Sequence, residues 1–271
     1  MQRKQVGAKE MLSMILTVNI GNTHITLGGY ENDRLQFCGQ LSSSGAVTVD
    51  ECALRIASLL TLHGASPDQI EGGILGSVVP ALTGRVLAAL RLLCDVRILT
   101  VGPGLKSGLR LRLDNPAQLG AELLCGAVAA LAEGPGPLVV ISADTAISLM
   151  AVNDRQELVG GVILPGPQLS LAALVQNTAQ LPQVDLTAPA PASILGKNTS
   201  ACLQNGFLLG TAALLDGLAD RFCAELGPDT RFYATGSLPR TIREACRTPI
   251  AYRETLIPDG LYRIWQRNRK G

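Results

Sequence analysis

Short apolar runs alternate with longer stretches of helical periodicity along nearly the whole chain. The run Ile15-Leu-Thr-Val-Asn-Ile20 precedes a small polar turn, Gly21-Asn-Thr23, and then a segment whose apolar side chains recur at every second position. This predicts strands over 15–20 and 23–30 around a tight turn. Similar runs predict strands over 72–77, 96–101, 138–143, 146–152, 159–163 and 231–235. Apolar spacings of three and four residues predict helices over 49–63, 81–93, 117–132, 168–178, 199–226 and 238–247. Strands interleaved with helices define an α/β protein. The longest helix carries Gly206, Gly210, Ala213 and Gly217 on one side, small residues that would let another backbone approach.

One pattern occurs twice. Val18-Asn-Ile-Gly-Asn-Thr-His-Ile-Thr-Leu27 and Ile141-Ser-Ala-Asp-Thr-Ala-Ile-Ser-Leu149 each join an apolar strand, a turn of small polar residues and a second alternating strand. Asn19 corresponds to Ser142, and Gly21 to Asp144. Two such hairpins, one opening each half, predict a duplicated fold with a cleft between the halves, where nucleotide phosphates can be cradled from both sides. Punctuation by Pro116 within 114–118 divides the chain into a first domain over 14–116 and a second over 117–271. Residues 1–13 form a polar extension that has basic residues but no signal-peptide core or cleavage site.

Composition removes several classes of function. A net charge of +1 with 3% aromatic residues offers neither the basic face nor the stacking rings of a nucleic-acid binder. The basic residues near the end (Arg263, Arg267, Arg269, Lys270) read as a solvated helix terminus. Seven scattered cysteines without a C-x-x-C pair, and only two histidines, argue against zinc and for buried thiols in a reducing cytoplasm. Charges, Gly and Pro interrupt every apolar run before it reaches membrane-spanning length.

The order of the motifs narrows the field further. Gly21-Asn-Thr23 is followed by Gly76-Ser-Val-Val-Pro80, Val101-Gly-Pro-Gly-Leu-Lys-Ser-Gly108 and Asn115-Pro-Ala-Gln-Leu-Gly-Ala-Glu122. Then come Gly160-Gly-Val-Ile-Leu-Pro-Gly166, Ala179-Gln-Leu-Pro182, Gly196-Lys-Asn-Thr199 and Thr235-Gly-Ser-Leu238. From about Met14 to Asn268 this series resembles the type III pantothenate kinases of the acetate-and-sugar-kinase and actin superfamily. The resemblance implies a duplicated ribonuclease-H-like, actin-like ATPase fold and a homodimer. It also implies transfer of the γ-phosphoryl group of ATP to pantothenate, the first step of coenzyme A synthesis, with Mg²⁺ and a monovalent cation (K⁺ or NH₄⁺). By resemblance, Asn19, Gly21, Asn22 and Thr23 form the first phosphate turn, Thr145 belongs to the second, and Thr235 and Gly236 form the nucleotide-side turn, with Ser237 replacing its last glycine. Gly120 and Ala121 match the start of the family's G-A-D-R element, and Gly160, Gly161, Pro165 and Gly166 match a loop near substrate and dimer seam. A plain reading of these glycines as tight turns of a preserved scaffold stands beside the functional one.

The charged positions depart from the family pattern. Asn19 stands where the family has its first aspartate, so an amide carbonyl is offered to a cation without negative charge. Glu122 replaces the aspartate that serves as base on the acceptor hydroxyl, and Leu123 replaces the arginine expected near the acceptor carboxylate. A carboxylate moved by one methylene matters, because a displacement of about 1 Å can cost about a hundredfold in rate. Ser142 replaces the second hairpin's aspartate, while Asp144 fills its glycine position. There Asp144 would help to hold metal or would repel phosphate. Three readings follow: an active kinase with shifted ligands (Glu122 as base, Asn19 and Asp144 on the metal), a non-catalytic family member that binds a ligand or partner, or a kinase for another hydroxylated acceptor. The substitutions favour impaired catalysis on a retained scaffold.

Overall fold

A computed structural model describes residues 13–43, 45, 47–189 and 191–269; the expected extension therefore lies outside the described residues, Ser13 excepted. The first half forms a five-stranded sheet in the order β3-β2-β1-β4-β5. Its strands are β1 (Met14–Ile20), β2 (His24–Glu31), β3 (Arg34–Ser42), β4 (Ile70–Ser77) and β5 (Ile98–Thr100). Helices α1 (Val49–Leu62) and α2 (Pro80–Leu93) connect them. The second half contributes β6 (Arg110–Leu111), β7 (Leu138–Ala143), β8 (Ala146–Val152), β9 (Glu157–Pro165), β10 (Arg231–Gly236) and β11 (Ile250–Tyr252). They run in the order β11-β10-β7-β8-β9-β6. Without β6 the two orders are the same: a central strand, two strands added by successive antiparallel pairing on one side and two added by parallel pairing on the other. This is the duplicated ribonuclease-H-like arrangement that the repeated hairpins predict.

Every position of β1 is buried because both faces of its sheet are covered. Leu16, Val18 and Ile20 pack against Ile56 and Leu60 of α1 and Val86 and Leu90 of α2. Ile15, on the opposite face, meets Tyr262 of α7 (Leu256–Asn268). In the second sheet Val139, Ile141 and Ala143 face α5 (Thr199–Leu226) and α6 (Arg240–Ala245). Leu138 and Val140 face α3 (Ala121–Ala132). Helices α3 and α7 are a shared layer between the sheets: Cys125, Val128, Leu261 and Ile264 cluster with Ile74 and Leu99 of the first sheet, while Ala127, Ala130 and Leu256 cluster with the second. Side-chain alternation therefore aims Asn19 and Ser142, at the ends of the two central strands, towards α3.

Several elements differ from the sequence reading. Strand β3 was not predicted, although Leu35, Phe37 and Leu41 alternate. It closes a hairpin through Asn32 and Asp33, both at positive φ (47° and 62°), the backbone of the tight turn that fits strand twist. β6, β11 and α7 are likewise additions. The strand expected over 96–101 contracts to β5, and the helix expected from 117 starts at Ala121, because Pro116–Gln118 forms a separate 3₁₀ turn. Helix α4 (Pro167–Gln176) agrees with its expected range to within two residues. Arg267 is not merely solvated: its guanidinium donates to the Ser107 carbonyl and ties α7 to the 102–109 loop.

Candidate functional site

The first turn is built by the end of β1. Gly21 N donates to His24 O at 2.9 Å, which closes the loop between β1 and β2. Asn19 is 7% exposed, and its Nδ2 donates to Glu122 Oε1 at 2.9 Å. Its Oδ1 is buried and has no hydrogen-bond partner. Glu122 lies in the first turn of α3, and its Oε1 would stand 2.9 Å from a Cβ at position 21. The carboxylate thus lies directly over the glycine of the first turn. Burial pushes the Glu122 carboxyl above its ordinary value; the Asn19 donor opposes this, and the nearby Asp144 charge adds to it.

The second and third turns meet the first. Thr23 Oγ1 and Thr145 Oγ1 are 3.4 Å apart, so the two repeated hairpins face each other across the cleft. Asp144 Oδ1 accepts from Ser237 Oγ at 2.6 Å, joining the second hairpin to the turn after β10. Gly236 has φ +87°, and a side chain there would overlap the Ala143 carbonyl, so this position needs glycine. Gly166 N donates to Thr145 O at 2.9 Å and braces the second turn from behind.

These contacts enclose a cavity of ≈ 270 Å³ lined by Asn19, Gly21, Glu122, Ser142, Asp144, Thr235 and Gly236. A neighbouring cavity of ≈ 160 Å³ takes Asn22, Gly120, Leu123 and Thr145, and shares Glu122, Ser142 and Asp144 with the first. Ala121 lines a wider groove of ≈ 1000 Å³ between Ser77–Val78 and the 101–120 segment. Gly160, Gly161, Pro165 and Gly166 line none of these; Gly160 and Gly161 lie on β9, where Gly161 packs on the Leu149 carbonyl. Sequence reasoning missed Thr26, Gln40, Tyr252 and Glu254, which line the larger cavity. Tyr252 ends a three-residue strand, too short to leave a periodic signal. His24, read as a side chain satisfied on the second strand, lines that cavity too.

The charges are one-sided. Glu122, Asp144 and Glu254 line the larger cavity, and among the described residues no lysine or arginine lines either of the two. Among the described residues no three His, Cys, Asp or Glu side chains group as a metal cage. Magnesium does not need one: it takes one or two carboxylates and completes its shell with phosphate oxygens and water. The remaining oxygen of Asp144 is one such carboxylate, and the unpartnered Oδ1 of Asn19, whose Nδ2 is turned to Glu122, is a further oxygen, so the residues fit a magnesium–nucleotide complex. Leu123 packs beside the cluster of Val140 and Leu158.

Comparison with known proteins gives the family. A family model described as type III pantothenate kinase matches residues 15–221. A type III pantothenate kinase from Exiguobacterium sp. is 36% identical over 257 residues, which span 95% of this chain and 100% of that protein. Another from Geobacter sulfurreducens is 38% identical over 258 residues, with the same coverage of 95% and 100%. Among solved structures, component A of the (R)-2-hydroxyglutaryl-CoA dehydratase of Acidaminococcus fermentans superposes with a TM-score of 0.55 over 95% of this chain and 98% of that one. At 12% identity that likeness speaks for the fold alone.

Proposed function

The chain belongs to the type III pantothenate kinase family, and from that premise we propose that it binds ATP and phosphorylates pantothenate slowly, as a member whose catalytic groups are impaired. In the reaction the pantothenate hydroxyl oxygen bonds to the γ-phosphorus, the bond from that phosphorus to the β–γ bridging oxygen breaks, and ADP leaves. Glu122 takes the hydroxyl proton. Its raised pKa brings it closer to neutral pH, which suits a general base. Magnesium, when bound, neutralises phosphate oxygens. Backbone amides of Asn22, Thr23 and Thr145 orient the phosphates, and the Thr235–Ser237 turn takes the nucleoside side.

The observation that carries the reading of impairment is the Asn19–Glu122 hydrogen bond. It draws the base onto the first phosphate turn, where its charge opposes the triphosphate, and away from the acceptor. Leu123 adds the loss of a cation for the acceptor carboxylate. Restoring the family pattern should therefore restore rate. Residues that act as a unit are strongly non-additive, so Asn19→Asp alone should change turnover little. The combination of Asn19→Asp, Glu122→Asp, Leu123→Arg, Ser142→Asp and Asp144→Gly should raise pantothenate-dependent ADP release by at least about a hundredfold. A combined variant that folds and is no faster than the parent would refute this reading.

The same proposal places the protein in the cytoplasm at the first step of coenzyme A synthesis; no helix among the described residues is long and apolar enough to cross a membrane. It also makes the chain a homodimer through its second half. Val162 and Ile163 of β9, Leu169 of α4 and Leu214 of α5 are exposed, and the positions of Gly206, Gly210 and Gly217 open onto free space. The small residues of α5 thus meet no backbone within the chain, which leaves that face to a second copy.

A further inference from the structure

Tyr252 ends β11 beside the nucleotide-side turn. Its hydroxyl donates to Gly236 O at 2.8 Å, and the residue lines the larger cavity. Arg243 of α6 lies over the ring, with its guanidinium carbon 3.8 Å from the centroid. Tyr252 lines the cavity whereas Arg243 does not. The Arg243 Nε is buried without a hydrogen-bond partner among the described residues. A buried donor without an acceptor needs another source of stabilisation, and here the tyrosine face supplies it by cation–π attraction. The ring is thereby fixed in plane and height by two contacts that neither solvent nor substrate must provide.

We propose that the cleft side of Tyr252 is the platform on which the nucleotide's base stacks, with Arg243 holding the ring from behind. Flat aromatic faces take bases by stacking. The acidic lining makes such a platform consequential. With Glu122, Asp144 and Glu254 in the wall and no lysine or arginine there among the described residues, the triphosphate alone is expected to bind weakly, which leaves much of the affinity to the base. The inference rests on the nucleotide-binding reading above and assigns its affinity to one side chain.

Calorimetry with magnesium-ATP and with magnesium tripolyphosphate separates the two, using the intact parent, Tyr252→Phe and Tyr252→Leu. The parent should bind ATP at least about tenfold more tightly than tripolyphosphate. Tyr252→Leu should lose that advantage and keep its tripolyphosphate affinity, while Tyr252→Phe, which keeps the ring, should stay near the parent for both. Equal parent affinity for the two ligands would overturn the inference even if the leucine variant does not fold. Tyr252→Leu binding ATP like the parent, or any loss shared equally by both ligands, would also overturn it, the latter by reducing Tyr252 to a support for the turn. A parent that binds neither ligand would instead remove the nucleotide-binding reading itself, and this inference with it.

Discussion

The Asn19 amide and the Glu122 carboxylate, 2.9 Å apart, decide how much negative charge lies over the Gly21–Thr23 turn. Burial raises the Glu122 pKa, so the native state holds its proton to higher pH than the unfolded chain does. Stability from this group is complete below the ordinary value of 4.5 and is lost as pH rises through the higher folded value. Glu122→Gln should therefore raise the melting temperature at pH 7.5 and give no gain at pH 4, as thermal scans across that range would show. The same variant should bind magnesium-ATP more tightly than the parent while losing turnover, because the charge over Gly21 and the base are one group. Asn19→Asp should act in the opposite sense. Two buried carboxylates at this distance cannot both ionise comfortably, and loss of the amide donor should cost about 1–3 kcal/mol without metal. Added magnesium should return part of it, making the melting temperature more magnesium-dependent than the parent's. Each residue of this pair was legible in the sequence because each breaks a recognisable motif. Their hydrogen bond was not, since it joins positions far apart in the chain that only the fold brings together.

Helices α3 and α7 hold the site at the scale of elements. Gly260 of α7 lies so close that a side chain would overlap the Cys125 backbone of α3. Gly260→Ala should consequently destabilise by about 1–3 kcal/mol or more. Gly84→Ala in α2, where a Cβ would meet nothing within 4 Å, should stabilise by about 1 kcal/mol, and chemical denaturation of both variants would check the contrast. At its other end α7 closes the seam to the first hairpin: Tyr30 and Tyr262 stack at 4.3 Å, and Tyr262 and Gln266 both donate to Asp33. α7 escaped sequence reading because Pro258 and Gly260 interrupt its pattern. Pro258 is tolerated in the first turn, where no intrahelical donor is lost, and Gly260 answers to packing rather than to helix propensity. β11, which carries Tyr252, escaped because three residues cannot show a period.

Across the whole molecule, two sheets of matching order clasp one shared helical layer, and the cleft lies where their central strands end. The repeat of the two hairpins made this architecture legible, because strand alternation and turn chemistry are local. Membership of the strands in one sheet or the other was less so: Arg110–Leu111 precedes Pro116 in sequence, yet it pairs with β9 of the second sheet. The exposed apolar side chains of β9, α4 and α5 predict a dimer in light scattering at micromolar concentration, and a species of monomer mass alone would contradict that arrangement. The account stands or falls on catalysis by the parent protein. Its pantothenate-dependent ADP release at saturating magnesium-ATP is expected to lie well below about 1 s⁻¹, the lower end of ordinary enzyme turnover. A rate at or above about 1 s⁻¹ would show that Asn19 and Glu122 form a working site, and the reading of impaired catalysis would be wrong.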